Sequence, residues 1–224
     1  LVNELISDHN IDQFCSTETR LNYVNLNEST INFHIPRESG RGGGVAAICH
    51  STLPVNPQPK LHYQTLRTIV LSISHPAQHL RLVIVYHPPG PYSEFLTDLL
   101  EFLSNRVICV NKIIIVGDFN IRMDVNNDSL AFSFTSLLDA SEFSHVVDEA
   151  THCHNHTLDL VLTYGIDVKR LTIFPQNPVL SDHFLIPFEF QIVNYTPVDK
   201  TLPSTNTFKD AITPLLNLLP FKEI

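Results

Sequence analysis

Ile113-Ile114-Ile115-Val116-Gly117-Asp118-Phe119-Asn120 is the stretch on which the reading of this chain turns. Its opening apolar run reads as a strand buried on both faces. Gly117 halts the run, and a carboxylate and a carboxamide emerge two residues apart. Strand ends are where α/β folds place ligand-handling groups. An Asp there can orient or deprotonate a water, and an Asn can donate to a phosphate oxygen. The same letters also describe an ordinary turn, because Asp and Asn are favoured turn residues. The flanking sequence has to decide.

On the N-terminal side, Ser93 reads as an N-cap with Glu94 in the first turn. Phe95, Leu96, Leu99, Leu100, Phe102 and Leu103 give that helix its apolar face. Leu80 to Tyr86 and Arg67 to Ser74 are β-rich runs. The former ends in His87-Pro88-Pro89-Gly90-Pro91, which cannot continue a ladder. Val45 to Cys49 is an apolar strand entered through the turn Gly40-Arg41-Gly42-Gly43-Gly44, Asn32 to Ile35 another strand, and Ile11 to Cys15 a third that leads into Ser16-Thr17-Glu18-Thr19. Leu1, Val2, Leu5 and Ile6 recur at helical spacing. On the C-terminal side a helix is expected from Ser129 to about Ala140, then strands at Leu158 to Tyr164, Arg170 to Phe174 and Phe184 to Ile192. Strands mixed with helices predict a layered α/β protein.

The 224 residues, 43% hydrophobic and 17% charged, suit one large domain or a domain with a tail. That reading puts a domain at 1–195 and a linker with a short tail at 196–224, where Thr196-Pro197 and Pro203-Ser204 break the pattern. Asn111 and Lys112 interrupt the longest apolar run, so no stretch reaches the roughly 18 residues of a membrane helix. No secretory signal opens the chain, and the missing initiator Met reads as a fragment of something longer. Cys15, Cys49, Cys109 and Cys153 lie far apart without a CxxC pair, which points to a reducing, nuclear or cytoplasmic compartment. A net charge of −9 predicts weak DNA affinity for the domain alone, since phosphate neutralisation by cations supplies most non-specific binding. Carboxylates that hold a divalent cation explain part of that excess.

Other segments carry candidate chemistry, each with a plain structural alternative. Ser181-Asp182-His183 sets a metal ligand or acid/base beside a phosphate donor, or is a capped turn. Asp159, in Thr157-Leu158-Asp159-Leu160-Val161-Leu162, sits between apolar neighbours and must have a partner if buried, for which a His from another strand is suitable. Glu18 alone reads as a solvated strand end. Tyr86 alone reads as an aromatic at a sheet's end. His152-Cys153-His154-Asn155-His156 looks metal-like, but crowded neighbours on one loop seldom close the tetrahedron zinc wants. The glycine-rich turn lacks the GK[ST] ending of a phosphate loop and reads as a hairpin. Leu215 to Leu219 reads as a frayed tail beside Pro214.

In order, the ETxL-like segment at Glu18, the GRGGG turn, YxPPG at Tyr86, GDFN at Gly117, LDLVLT at Leu158 and SDH at Ser181 resemble the endonuclease/exonuclease/phosphatase superfamily, and within it the LINE-type (non-LTR) retrotransposon endonuclease domains. The resemblance spans about Leu1 to Ile192. It implies a four-layer sandwich, two mixed β-sheets face to face flanked by helices. It implies that Glu18 ligates Mg²⁺ or Mn²⁺, with Asp182 a second acidic group near the metal. It assigns the attacking water and the scissile phosphate to Asp118 and Asn120. Asp159 would orient and charge His183, which contacts the phosphate together with Tyr86, and Thr151 and Ser181 would support them. Such relatives begin with a further strand carrying an Asn, which this sequence lacks, and Ser16 and Arg20 depart from the usual Leu and Trp. The function implied is a Mg²⁺-dependent endonuclease nicking DNA in the nucleus, with a reverse transcriptase domain expected in the parent polyprotein. The alternatives are a catalytically impaired remnant acting at most as a binding module, and a phosphatase of the same fold.

Overall fold

The computed structural model describes residues 2–19, 30–36, 43–60, 62–75, 78–90, 92–107, 110–174 and 181–191. The expected linker and tail, Arg20, Cys109 and most of the glycine-rich turn lie outside them. Helix α1 (Val2–Asp8) leads into strands β1 (Gln13–Thr19), β2 (Thr30–Ile35), β3 (Gly44–His50), β4 (Val55–Pro57), β5 (Arg67–His75) and β6 (Gln78–Tyr86). Helix α2 (Tyr92–Val107), strand β7 (Lys112–Asp118), helix α3 (Ser129–Ala140) and strands β8 (Ser144–His145), β9 (Asp159–Tyr164), β10 (Val168–Lys169) and β11 (Glu189–Phe190) follow.

The strands make a six-stranded sheet, β4-β5-β6-β7-β9-β8, a three-stranded sheet, β1-β3-β2, and the pair β10-β11. In the large sheet only β6 and β7 run parallel, because α2 returns the chain between them. The small sheet is antiparallel throughout. Among the described residues, one mixed sheet packs against one antiparallel sheet in the α/β sandwich expected.

Strand β7 shows why its apolar run is unbroken. Ile113 and Ile115 pack on one side with Phe95, Leu99, Phe102, Phe134 and Leu138 of α2 and α3. Ile114 and Val116 pack on the other side with Val45, Ala47 and Cys49 of β3. A period of two applied to a strand covered on both faces demands apolar residues everywhere. Helix α1 buries none of its residues.

Helix α3 starts where expected, with the Asp128 carboxylate accepting from the backbone N–H groups of Leu130 and Ala131 at its N-cap. Helix α2 begins two residues earlier than expected, at Tyr92, which moves Ser93 from the cap into the first turn. The run Arg170 to Phe174 is not a continuous strand: pairing stops at Lys169 and resumes as one bridge, Phe174 to Leu185. Phe184 to Ile192 is likewise broken. Pro187 cannot donate to a ladder, and only Glu189–Phe190 pairs regularly. The two short strands β4 and β8 carry too few residues for a periodic signal.

Candidate active site

Period-two alternation carries Asp118 to the same side of β7 as Ile114 and Val116, the side that faces the small sheet. Three neighbouring strands end together there. Tyr86 is the register partner of Asp118 on β6, and Asp159 its partner on β9. Gly117 makes this junction possible. Its φ is +144°, and a Cβ added there would lie 1.8 Å from the Val85 carbonyl oxygen. Any side chain would break the β6–β7 ladder immediately before the carboxylate.

Asp118 is 1% exposed and tightly held. The Asn120 backbone N–H donates to its Oδ1 at 2.9 Å, and the Asn120 side-chain Nδ2 donates to its Oδ2 at 2.9 Å. The second amide hydrogen of Asn120 goes to the His87 carbonyl oxygen at 2.8 Å. Both neighbours are acceptors, which fixes the amide orientation. Asn120 adopts a left-handed φ of +51°, a conformation Asn tolerates better than most residues. Burial pushes the Asp118 carboxyl up to about 7. The charge of Asp159 adds to the rise and Glu18 contributes further, against His183 and the Asn120 N–H.

Asp159 meets the partner that its sequence neighbours called for: His183 Nδ1 lies 2.7 Å from Asp159 Oδ2. Burial alone would lower the basicity of His183. The hydrogen bond and charge of Asp159, with the charges of Asp118 and Asp182, overcome it and push the imidazole up to about 9. Thr151, fully buried, ties the parts together. Its Oγ1 accepts from the backbone N–H groups of Leu158 and Asp159, and its carbonyl oxygen accepts from the Phe184 N–H at 2.7 Å. Ser181 Oγ accepts from the His183 N–H at 3.0 Å. Residues 183 and 184 are thereby held beside the segment that leads into β9.

Glu18 arrives from the opposite sheet. Between Ser16 and Thr19 the register of β1 on β3 slips by one residue, and Glu18 sits in the slip with a left-handed φ of +53°. A bulge of this kind re-aims a side chain, a common device beside active sites. Tyr86 Oη donates to Glu18 Oε1 at 2.6 Å, which joins the two sheets. Asp182 lies at the rim, exposed, with its carboxylate 3.5 Å from His152 Nε2. Against burial, which pushes it up, a backbone hydrogen bond and then His183 and His152 hold its carboxyl below the ordinary value.

One group escaped the sequence reading, and His152 was read only as part of a loop cluster. His87 is buried, donates its backbone N–H to the Asp118 carbonyl oxygen, bonds the Phe119 carbonyl oxygen through Nδ1 at 2.9 Å and stacks near Phe95. Burial lowers its basicity. Its work is to shape the loop that carries Asn120, through backbone groups that leave no trace in residue type. His152 forms an isolated bridge with His183, and their rings meet edge-on at 4.8 Å between centroids.

Residues 80–187 match the family model described as endonuclease-reverse transcriptase. No curated protein matches the chain by sequence. Among solved structures, the endonuclease domain of TRAS1, a telomere-specific non-LTR retrotransposon, aligns with a TM-score of 0.69 at 15% identity, covering 84% of this chain and 88% of that one. A 3′ phosphatase from Neisseria, solved with a product DNA hairpin, aligns at 0.61 and 16% identity, over 85% and 93%. A mannosyl-6-phosphatase from Bacteroides thetaiotaomicron aligns at 0.60 and 13% identity, over 85% and 89%. At these identities the structural likeness speaks for the fold, and the matched segment contains Tyr86, the GDFN turn, Asp159 and Ser181-Asp182-His183. Residues 80–187 are thus similar to the endonuclease-reverse transcriptase family, and the chain has the fold shared by these endonuclease and phosphatase structures.

Proposed function

We propose that this chain is a divalent-metal-dependent phosphodiesterase that nicks DNA in the nucleus, the endonuclease of a LINE-type retrotransposon or a copy derived from one. The observation that carries the reading is the facing pair Asp118 and Asp159 across β7 and β9, with His183 locked on Asp159 at 2.7 Å. Asp118, poised near neutral pH, takes the proton of the attacking water. Asn120 spends both amide hydrogens on Asp118 and the His87 carbonyl, so its part is to aim that carboxylate, and donation to phosphate falls to others. His183, kept protonated by Asp159, donates to a non-bridging phosphate oxygen. Tyr86 orients Glu18.

The donor set fits Mg²⁺ or Mn²⁺. Glu18 offers hard oxygen donors, and the carboxylates of Glu18 and Asp159 raise the carboxyl of buried Asp118, a concentration of like charge that a cation relieves. When bound, the ion supplies charge stabilisation for the scissile phosphate and its departing oxygen. Glu18 would hold it.

The test is conversion of supercoiled plasmid to open circles with Mg²⁺, with Asp118→Ala as control. Nicking by the parent and not by the variant is expected; equal nicking by both refutes the assignment. A phosphatase of the same fold is the second reading. The net charge of −9 favours it, because a small phosphate ester does not need the basic surface that a DNA duplex rewards. Phosphate release from a sugar phosphate by a chain that leaves plasmid intact would select that reading.

A further inference from the structure

Among the described residues, groups of three donors able to hold a metal occur around His152: His152 with Cys153 and His154, and His152 with Asp182 and His183. Both are rich in imidazole, and neither includes Glu18. The sequence showed only the first, three neighbours on one loop. The second exists because the fold brings residues 152 and 182–183 together. A bridge pairs His152 with His183, and the Cys153 N–H donates to the Asp182 carbonyl oxygen at 2.9 Å.

We propose that His152, Asp182 and His183 form a transition-metal site that takes zinc. Three features of the geometry carry it. A zinc held tetrahedrally at about 2.0–2.1 Å from N and O donors separates its ligand atoms by roughly 3.3 Å. His152 Nε2 and Asp182 Oδ2 stand 3.5 Å apart, close to that edge and longer than a good hydrogen bond, and all three donor atoms lie within 4.8 Å of one another. The ring orientations are also set by outer partners. His183 is tied at Nδ1 to Asp159, and His152 Nδ1 accepts from the His154 backbone N–H at 3.2 Å. The Nε2 atom of each ring is then the one left for an ion. A carboxylate behind a metal-binding imidazole is the usual second layer of such sites, and Thr151 in turn anchors the segment bearing Asp159. Finally, two imidazoles and one carboxylate suit zinc, whereas Mg²⁺ prefers oxygen. The set leaves one tetrahedral position open.

The consequence rests on the function proposed above. His183 cannot donate to phosphate while its free nitrogen holds an ion, so zinc occupancy shuts off the reaction that Mg²⁺ supports. The site makes the protein a zinc-inhibited hydrolase.

Calorimetric titration of the whole chain with zinc chloride, in a large excess of Mg²⁺ and without substrate, tests the site independently of activity. One zinc per chain is expected. Asp159→Asn should weaken binding by about 10–100-fold, the range of a lost outer partner, and His152→Ala by more than that. Asp182→Asn, an exposed position that cannot unfold the chain, should weaken it too, while Cys153→Ser leaves it unchanged. Zinc affinity unaltered in both His152→Ala and Asp182→Asn overturns the proposal. So does loss of binding in Cys153→Ser, which would hand the ion to the consecutive loop residues. If the parent binds zinc as described yet hydrolyses nothing, the site stands and the catalytic reading falls.

Discussion

The two halves of the site are built differently. Asp118, Asn120, Asp159, Thr151 and His183 stand at the ends of paired central strands and are joined by backbone and side-chain hydrogen bonds. Glu18 stands on β1, an edge strand of the smaller sheet among the described residues, at a register slip, and is fixed through the hydrogen bond from Tyr86. The first half is pre-organised by the ladder itself. The second depends on a bulge and on the two sheets keeping their separation. Rigid groups suit the chemistry, where small displacements are costly, and an adjustable carboxylate suits an ion that completes its own shell.

Removing the centre of the rigid half should have the largest effect. Asp118→Ala is expected to lower turnover by about 10²–10⁴-fold, the scale of a lost general base, with no rescue by added Mg²⁺. Circular dichroism should show the fold intact. A variant that regains activity at high metal concentration would move Asp118 to the metal-holding half and erase the distinction drawn here.

Asp159→Asn comes next. Its loss should be at least about 10-fold yet smaller than that at Asp118, because His183 stays in place and loses only its charge stabilisation. Nuclear magnetic resonance should show the His183 pKa falling from about 9 towards its ordinary 6.5. An unchanged pKa would mean that the 2.7 Å contact does not set the protonation state.

Glu18→Gln probes the adjustable half. The expected signature is a shift of the Mg²⁺ requirement to higher concentration, with much of the maximal rate recovered at saturation. Tyr86→Phe removes the donor to Glu18 while keeping the ring, and should show the same shift more weakly, since one hydrogen bond to a charged group contributes about 1.5–3 kcal/mol. A fall in maximal rate without any shift would show that Glu18 belongs with the rigid half.

The same contrast explains what could be read beforehand. Strand β7, helix α3 and the pairing partner of Asp159 were legible because a doubly covered strand, an apolar helical face and a buried carboxylate each leave a residue-type pattern. The order of motifs added the resemblance to the superfamily. The bulge at Glu18 left no such pattern, because its left-handed φ falls on a residue that does not advertise it. His87 acts through carbonyl oxygens and was invisible for the same reason. The antiparallel character of the small sheet, and the break at Lys169, depend on which strands meet. The pairing of His152 with Asp182 and His183 joins positions 30 and 31 residues apart in sequence, and neighbouring letters do not encode that.

The smallest expected effect is on stability as a function of pH. Asp118 and His183 both have folded-state pKa values above their ordinary ones, 3.8 to about 7 and 6.5 to about 9. A group raised on folding contributes stability that is fully present below the ordinary value and lost as pH rises through the folded one. Without divalent cation, Asp118 therefore weakens the fold between about pH 4 and 7, and His183 between about pH 6.5 and 9. His87, held low by burial, acts in the opposite sense below its ordinary 6.5, so the comparison must be of parent against variant. The Tm of the parent relative to Asp118→Asn should fall as pH rises over the first window and level off above it. Relative to Asp159→Asn it should fall over the second window, because that variant no longer holds the His183 proton. Added Mg²⁺ should flatten the first difference by neutralising the carboxylates and leave the second largely in place. A parent that gains Tm over Asp118→Asn between pH 4 and 7 would show that the buried carboxylate is stabilised as an anion. The rigid half would then hold Asp118 ready without strain, and not at the expense of the fold.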